Sequence, residues 1–165
     1  MNTDPTYSRT IVSPVGPLTA VATDHGLRAV LWPEDERIAF DSTPVEAPGH
    51  PVLDAVEAQL GEYFAGERVA FDVPLDLRGT DFQVSVWQAL AEIPFGETST
   101  YGDQAARIGR PKAARAVGAA NGMNPVSIVL PCHRIVGKDG SLTGFAGGLD
   151  TKRFLLDHEQ AIAGG

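Results

Sequence analysis

The chain has 165 residues, with 13 Lys and Arg against 21 Asp and Glu, for a formal charge of −8. With 43% apolar and 21% charged residues its composition is globular, which excludes a wholly disordered chain, and no apolar run approaches the roughly 20 residues of a membrane-spanning helix. The lone cysteine, Cys132, excludes an internal disulfide and a multi-cysteine zinc site.

The length fits one domain or two small ones. The opening MNTDPTYSRT has no basic stretch followed by an apolar one, so no secretory signal is expected. A lone thiol suits a reducing cytoplasm.

Residues 10–23 predict two short strands around a Pro/Gly turn at residues 14–17. Asp24-His25-Gly26 is a second turn and residues 27–32 a third strand, making an antiparallel meander. Residues 41–51 are turn-rich and read as a loop. Apolar residues at 52, 53, 56, 60, 63 and 64 have helical spacing, stopped by Gly66. Residues 69–75 read as another strand, and residues 78–80 as a junction.

The second half begins with helices. Thr80 or Asp81 can cap a helix over residues 81–93, with Phe82, Val86, Trp87 and Leu90 on one stripe. Ser99 or Thr100 can cap a short helix over residues 101–108, which Gly109-Arg110-Pro111 breaks. An Ala-rich helix resumes over residues 112–121. Helix, tight turn, helix is the outline of a helix-turn-helix, and equally of an ordinary helical hairpin. Small residues at 113, 114, 116, 118, 119 and 120, with Arg115 among them, favour close approach to a nucleic-acid groove. Trp32 and Trp87 are expected in the core.

Charge is divided unevenly. Residues 1–80 carry 5 basic and 13 acidic side chains, which accounts for the whole net charge, whereas residues 81–165 carry 8 of each. Within residues 101–138 six basic residues face Asp103 alone, a local +5 that suits a phosphate-contacting surface.

Asn124-Pro125 opens an apolar, strand-like run over residues 126–130, ending at Pro131-Cys132-His133-Arg134. A lone cysteine after such a run is ordinarily a small buried hydrophobe. A proline, a histidine and an arginine are poor company for that role, and a cation or imidazole nearby favours a thiolate. On an extended chain Cys132 and His133 would point apart, so the pair works together only where the chain turns or a water bridges. The imidazole then needs an orienting partner, for which Glu159 and Asp157 are candidates.

PCHR at residues 131–134 resembles the active-site motif of the O6-alkylguanine-DNA alkyltransferases. Tyr101-Gly102, residues 113–118 (AARAVG), Asn121-Gly122, Asn124-Pro125, Gly147-Gly148-Leu149, Lys152, Leu155-Leu156 and Glu159 extend the resemblance over residues 79–165. Residues 1–78 are similar more loosely, through residues 13–18 (SPVGPL) and 63–66 (YFAG).

The resemblance implies an α/β (α+β) protein. A small antiparallel-sheet α/β domain, residues 1–78, would serve as scaffold. A mainly helical domain with a helix-turn-helix, residues 79–165, would bind DNA and carry the chemistry. The activity implied is single-turnover transfer of an alkyl group from guanine O6 to Cys132, with the base flipped out of the duplex. O4-alkylthymine is a further candidate substrate. His133 would deprotonate Cys132 through a water, Glu159 would orient His133, Tyr101 would supply a proton near guanine N3, and Asn124 would tie the recognition helix to the Cys132 segment. DNA contacts would come from Arg115, which fills the gap left by the base, and from Ala114, Ala116, Gly118, Thr100 and Lys112 in the minor groove. Ile135, Phe145, Ala146 and Lys152 would line the substrate pocket. The partner would be double-stranded DNA carrying alkylated guanine, with a monomeric protein, no membrane and no cofactor.

Two departures stand out. Phe145 occupies a place where tyrosine is common in the family, which bears on the wall of the alkyl pocket. Zinc bound by some members is not expected, since His25 and His50 alone make a poor site. Two other readings compete: a cysteine hydrolase using Cys132 with His133 or His158, and a non-catalytic DNA-lesion binder. Alkyltransferase-like proteins of the latter kind replace the cysteine.

Overall fold

Strands β1 (Tyr7–Ile11), β2 (Leu18–Thr23) and β3 (Gly26–Leu31) pair antiparallel as a meander. They belong to a computed structural model that describes residues 4–40 and 42–164. The chain divides into two units, residues 1–78 and 79–165.

In the first unit the residues on β2 and β3 that pack inward are Leu18, Ala20, Val21, Ala22, Leu27, Ala29 and Val30. Helix α1 (Pro51–Phe64) lies against this sheet with Leu53, Val56, Leu60 and Tyr63 buried. The helix begins where His50 Nδ1 accepts from Val52 N at 3.3 Å. It ends in a Schellman motif: Gly66, at φ +80°, donates to Tyr63 O, and Glu67 N donates to Glu62 O. Arg9 on β1 reaches Asp54 at 2.6 Å and Glu57 at 3.2 Å, tying strand to helix.

Two expectations fail in this unit. Residues 41–51 hold a strand, β4 (Val45–Glu46), parallel to β1 at Tyr7 and Ser8, so the sheet is mixed, not antiparallel throughout. Two residues between Pro44 and Pro48 carry no period to read, and Arg9 Nη2 helps hold the segment by donating to Ala47 O at 3.3 Å. Residues 69–75 form no strand. Among the described residues their only ladder contact is a bridge between Leu75 and Leu27. Earlier in the segment the Gln59 side-chain amide takes the place of a strand, pairing with both Asp72 N (2.8 Å) and Asp72 O (2.9 Å).

The second unit opens with α2 (Asp81–Leu90), capped by a reciprocal pair between Thr80 and Gln83. It ends three residues before the expected boundary. Ala91, Glu92 and Ile93 donate to carbonyls three residues back, winding the chain tighter. The two-residue strand β5 (Ser99–Thr100) leads straight into α3 (Tyr101–Arg107), capped by Thr100 Oγ1 on Asp103 N at 3.2 Å. Gly109, at φ +77°, and Arg110 close α3 in a second Schellman motif on Ala106 O and Ala105 O. Helix α4 (Ala114–Gly122) starts two residues later than expected, because residues 111–112 remain in the turn after Pro111 and Ala113 is not yet helical. The strand β6 (Ile135–Val136) pairs parallel with β5, and α5 (Leu149–Ala163) closes the unit.

Buried amides fix the α3–α4 pair. Gln104 Nε2 donates to Asn121 Oδ1 (3.1 Å) and to Val86 O (3.1 Å), while Asn121 Nδ2 donates to Gln104 Oε1 (2.8 Å). Trp87 Nε1 donates to Ala120 O at 2.7 Å. Three helices are thereby held in one geometry by groups that are costly to leave unpaired. Asn121→Ala leaves Gln104 Oε1 buried without its donor and is expected to lower stability by roughly 1–3 kcal/mol. Urea unfolding checks this as a lower midpoint with an unchanged slope. A Gln104→Leu/Asn121→Leu double variant should lose less than the two single variants summed.

Candidate active site and nucleic-acid interface

Asn124 is fully buried and its carboxamide spans a loop, with Oδ1 accepting from Val126 N (3.0 Å) and Nδ2 donating to Leu130 O (2.9 Å). Between these ends the chain reverses. Ile128 sits at φ +73°, with Val129 N donating to Ser127 O across it, a γ-turn that a β-branched residue rarely adopts. The strain is about 1–3 kcal/mol. Two buried hydrogen bonds from Asn124, at about 0.5–1.5 kcal/mol each, and burial of the Ile128 side chain offset it. Residues 126–130 are therefore a clamped loop and not the strand their composition suggests.

Pro131, at φ −82° and ψ 67°, is the centre of an inverse γ-turn in which Cys132 N donates to Leu130 O at 2.8 Å. A single 3-10 turn, Cys132–Arg134, follows. The chain thus turns at the point where Cys132 and His133 need it to. Cys132 is buried, and His133 has no exposed surface.

Glu159 on α5 organises this turn. Its carboxylate accepts from His133 Nε2 (2.6 Å), from Arg134 Nε (2.8 Å) and Nη2 (3.1 Å), and from Gly96 N (3.3 Å). Arg134 also donates Nη1 to Ile93 O at 2.6 Å and lies over the Phe95 ring. Burial works to raise the Glu159 carboxyl, yet the donors from His133 and Arg134 outweigh it and hold the group at about 2. Burial lowers His133 below its ordinary value, helped by the Arg134 and Lys152 charges, against the opposing pull of Glu159. His133 is therefore a neutral imidazole near pH 7. Its Nδ1 is buried without a hydrogen-bond partner among the described residues and is available to take a proton. Glu159 meets the need for an orienting partner. Asp157, the other candidate, is exposed.

Lys152, two turns before Glu159 on the same buried face of α5, is 1% exposed and donates Nζ to Thr143 O at 3.2 Å. Burial lowers its ammonium, while the charge of Cys132 acts in the opposite direction. Its Nζ lies 6.0 Å from the centre of the half-buried Phe145 ring. Ile135 is buried on β6, and Ala146 is exposed. The β5–β6 pairing ties the start of α3, and with it Tyr101, to the end of the Cys132 turn. The Tyr101 hydroxyl is hydrogen-bonded to Thr143 Oγ1.

Arg115 and Ala116 on α4 are exposed, as is Lys112 before it. Ala114 is half-buried. Gly118 faces inward: a Cβ there would lie 3.6 Å from the Tyr101 ring, so this glycine packs against α3 and does not belong to the open face of α4. The Thr100 hydroxyl oxygen accepts from Asp103 N in capping α3, a bond that does not use its proton. Arg107 and Arg110 extend the exposed basic surface. Sequence reasoning missed Arg134 and Thr143. Arg134 was visible as a charged member of a motif otherwise bound for the interior, whereas Thr143 carried no local signal.

Two family descriptions match the sequence. Residues 6–77 match "6-O-methylguanine DNA methyltransferase, ribonuclease-like domain", and residues 81–161 match "6-O-methylguanine DNA methyltransferase, DNA binding domain". The chain is 50% identical over 157 residues to a methylated-DNA–protein-cysteine methyltransferase of Mycobacterium tuberculosis, covering 95% of this chain and 94% of that one. It is 47% identical over 154 residues to the protein of the same description from Methanosarcina acetivorans, covering 93% and 97%. It also resembles the crystal structure of Mycobacterium tuberculosis OGT in complex with DNA, with a TM-score of 0.86, 47% identity and 94% of each chain covered.

The buried charges set an expected pH profile. In the folded protein Glu159 takes up a proton only near pH 2, against an ordinary value of 4.5. Its stabilisation is complete above pH 4.5 and is lost as pH falls toward the folded value. His133 binds a proton more weakly folded than unfolded, so stability already declines as pH drops below its ordinary 6.5. Urea unfolding between pH 7 and 3 should show a loss that begins near the histidine value and steepens below the carboxylate one. Glu159→Gln should be less stable at pH 7 by roughly 3–5 kcal/mol, with the lower step gone.

Proposed function

The chain belongs to the 6-O-methylguanine DNA methyltransferase family, and on that premise we propose that it repairs DNA by moving a methyl or larger alkyl group from guanine O6 onto its own Cys132. The observation that carries this reading is the site itself. A lone cysteine heads a clamped turn, and the next residue is a buried neutral imidazole paired with an ionised carboxylate.

His133 accepts the Cys132 proton at Nδ1 through a bridging water, and Glu159 and Arg134 hold the imidazole for that task. The Lys152 cation attracts the resulting thiolate. Sulfur attacks the alkyl carbon in line, the bond from carbon to O6 breaks, and guanine leaves with the electron pair. Tyr101 supplies a proton at guanine N3. The thioether formed is a poor leaving group, and the chain has no second cysteine to accept the alkyl group, so each molecule acts once. The target atom is out of reach inside the stack, so the base is flipped out. Helix α4 enters the minor groove with Ala116 and Ala119 on its open face, and Arg115 fills the gap left by the base. Lys112, Arg107 and Arg110 lie at the phosphates.

In this reading residues 1–78 act as scaffold and residues 79–165 bind DNA and react. The protein works as a monomer in the cytoplasm. No helix among the described residues is long and apolar enough to cross a membrane. A non-catalytic lesion binder is disfavoured because Cys132 is present.

Two experiments test the proposal. Wild-type protein, limiting over an oligonucleotide bearing O6-methylguanine, should stop at one methyl per molecule, found by mass on the Cys132 peptide. Cys132→Ser should bind the DNA and transfer nothing, because a serine hydroxyl stays protonated near neutral pH. A plateau well above one equivalent would revive the hydrolase reading. Arg115→Ala should slow repair of duplex at least tenfold more than reaction with free O6-benzylguanine, which needs no flipping, since unstacking costs about a few kcal/mol. Equal losses on both substrates would remove Arg115 from the flipping step.

A further inference from the structure

The contact between Tyr101 and Thr143 has no role in the reading above. Tyr101 heads α3, and its ring is set against α4 at Gly118. Its hydroxyl meets Thr143 Oγ1. Thr143 is itself pinned, because its carbonyl accepts from the buried Lys152 ammonium at 3.2 Å. Two rigid supports therefore hold the two hydroxyls together. A phenol has one proton to give, and so does a threonine. When Thr143 donates to the phenolic oxygen, the phenolic proton is left to point elsewhere.

We propose that Thr143 is a positioning residue for alkyl transfer: its Oγ1–H donates to the Tyr101 oxygen, aims the phenolic proton at the flipped base, and stabilises that oxygen as the proton leaves. The inference rests on the proposed transfer to Cys132. The sulfur–carbon bond forms as the bond from carbon to O6 breaks, and the electron pair stays on guanine. Guanine N3 takes the Tyr101 proton. The negative phenolic oxygen then accepts a charge-assisted hydrogen bond from Thr143, stronger than the neutral one it replaces. The proton first taken from Cys132 by His133 returns to Tyr101 through water, so the net change moves one proton from sulfur to guanine. Because the Thr143 bond strengthens as charge develops, it favours the transition state over the bound substrate.

Single-turnover methyl transfer from an O6-methylguanine duplex, measured with DNA affinity, tests this in the full-length protein. Thr143→Val keeps the shape and removes the donor. It should slow transfer about tenfold with DNA affinity unchanged, the loss of one hydrogen bond to a charged group. Thr143→Ser should restore most of the rate. Thr143→Val should add little to Tyr101→Phe, and little on a duplex whose methylated guanine carries carbon in place of N3. Transfer by Thr143→Val at the wild-type rate overturns the inference, as does the same fold-loss in the Tyr101→Phe background or on the carbon-substituted base. A wild-type protein that transfers no methyl overturns the underlying reading instead. Full-rate transfer by Tyr101→Phe removes Tyr101 from that reading, and Thr143 with it.

Discussion

An ionised carboxylate in a protein interior has to be met by donors, and Glu159 is met from three sides. His133, Arg134 and the Gly96 amide all point at it. Removing a partner from such a group costs roughly 3–5 kcal/mol, because the remaining charge cannot recover its water. The PCHR turn, the end of the α2 region and α5 are therefore locked to one another. The same bonds that stabilise the fold decide the chemistry. With Nε2 held by Glu159, His133 has only Nδ1 left to accept a proton, and burial keeps it neutral until one arrives.

Around that carboxylate the chain stores strain where the nucleophile is displayed. Ile128 is held at positive φ by a loop that the Asn124 carboxamide closes at both ends. The loop delivers Cys132 at the head of a tight turn directly after Pro131. The short β5–β6 pairing then carries the constraint to Tyr101, and the Gln104–Asn121 pair carries it on to α4. Nucleophile, phenol and exposed helix face are thus linked by buried hydrogen bonds rather than by apolar packing alone. Geometry at this scale depends on direction, which apolar contacts do not supply.

The acidic first half and the basic stretch of the second place their charges differently. In the first unit the charges pair within the unit: Arg9 with Asp54 and Glu57, Arg37 with Asp35, and Arg78 with Asp4 and Asp76. In the second, Arg110, Lys112 and Arg115 stand exposed along the helix-turn-helix. A polyanion meets this basic stretch rather than the net charge of the molecule.

Much of this was legible in the order of residues. Capping pairs, glycine stops and helical spacing marked α1 to α4 to within a few positions, since those signals are local. Cys132 and His133 stood together in the PCHR motif, but the residues alone left Asp157 beside Glu159 as the partner of His133, and only the family resemblance preferred Glu159. What local pattern could not carry was decided by tertiary contact. Residues 126–130 are largely apolar whether buried as strand or as loop, and the Asn124 bonds hold them as a loop. Val45–Glu46 became a strand because β1 offered an edge, and residues 69–75 did not because Gln59 took up Asp72. Gly118 read as part of an open helix face, yet the Tyr101 ring covers it. The motifs around Cys132, through the family they resemble, indicated the kind of chemistry this chain carries. The directions of its hydrogen bonds, which arise between residues distant in sequence, determined which atoms are left to perform it.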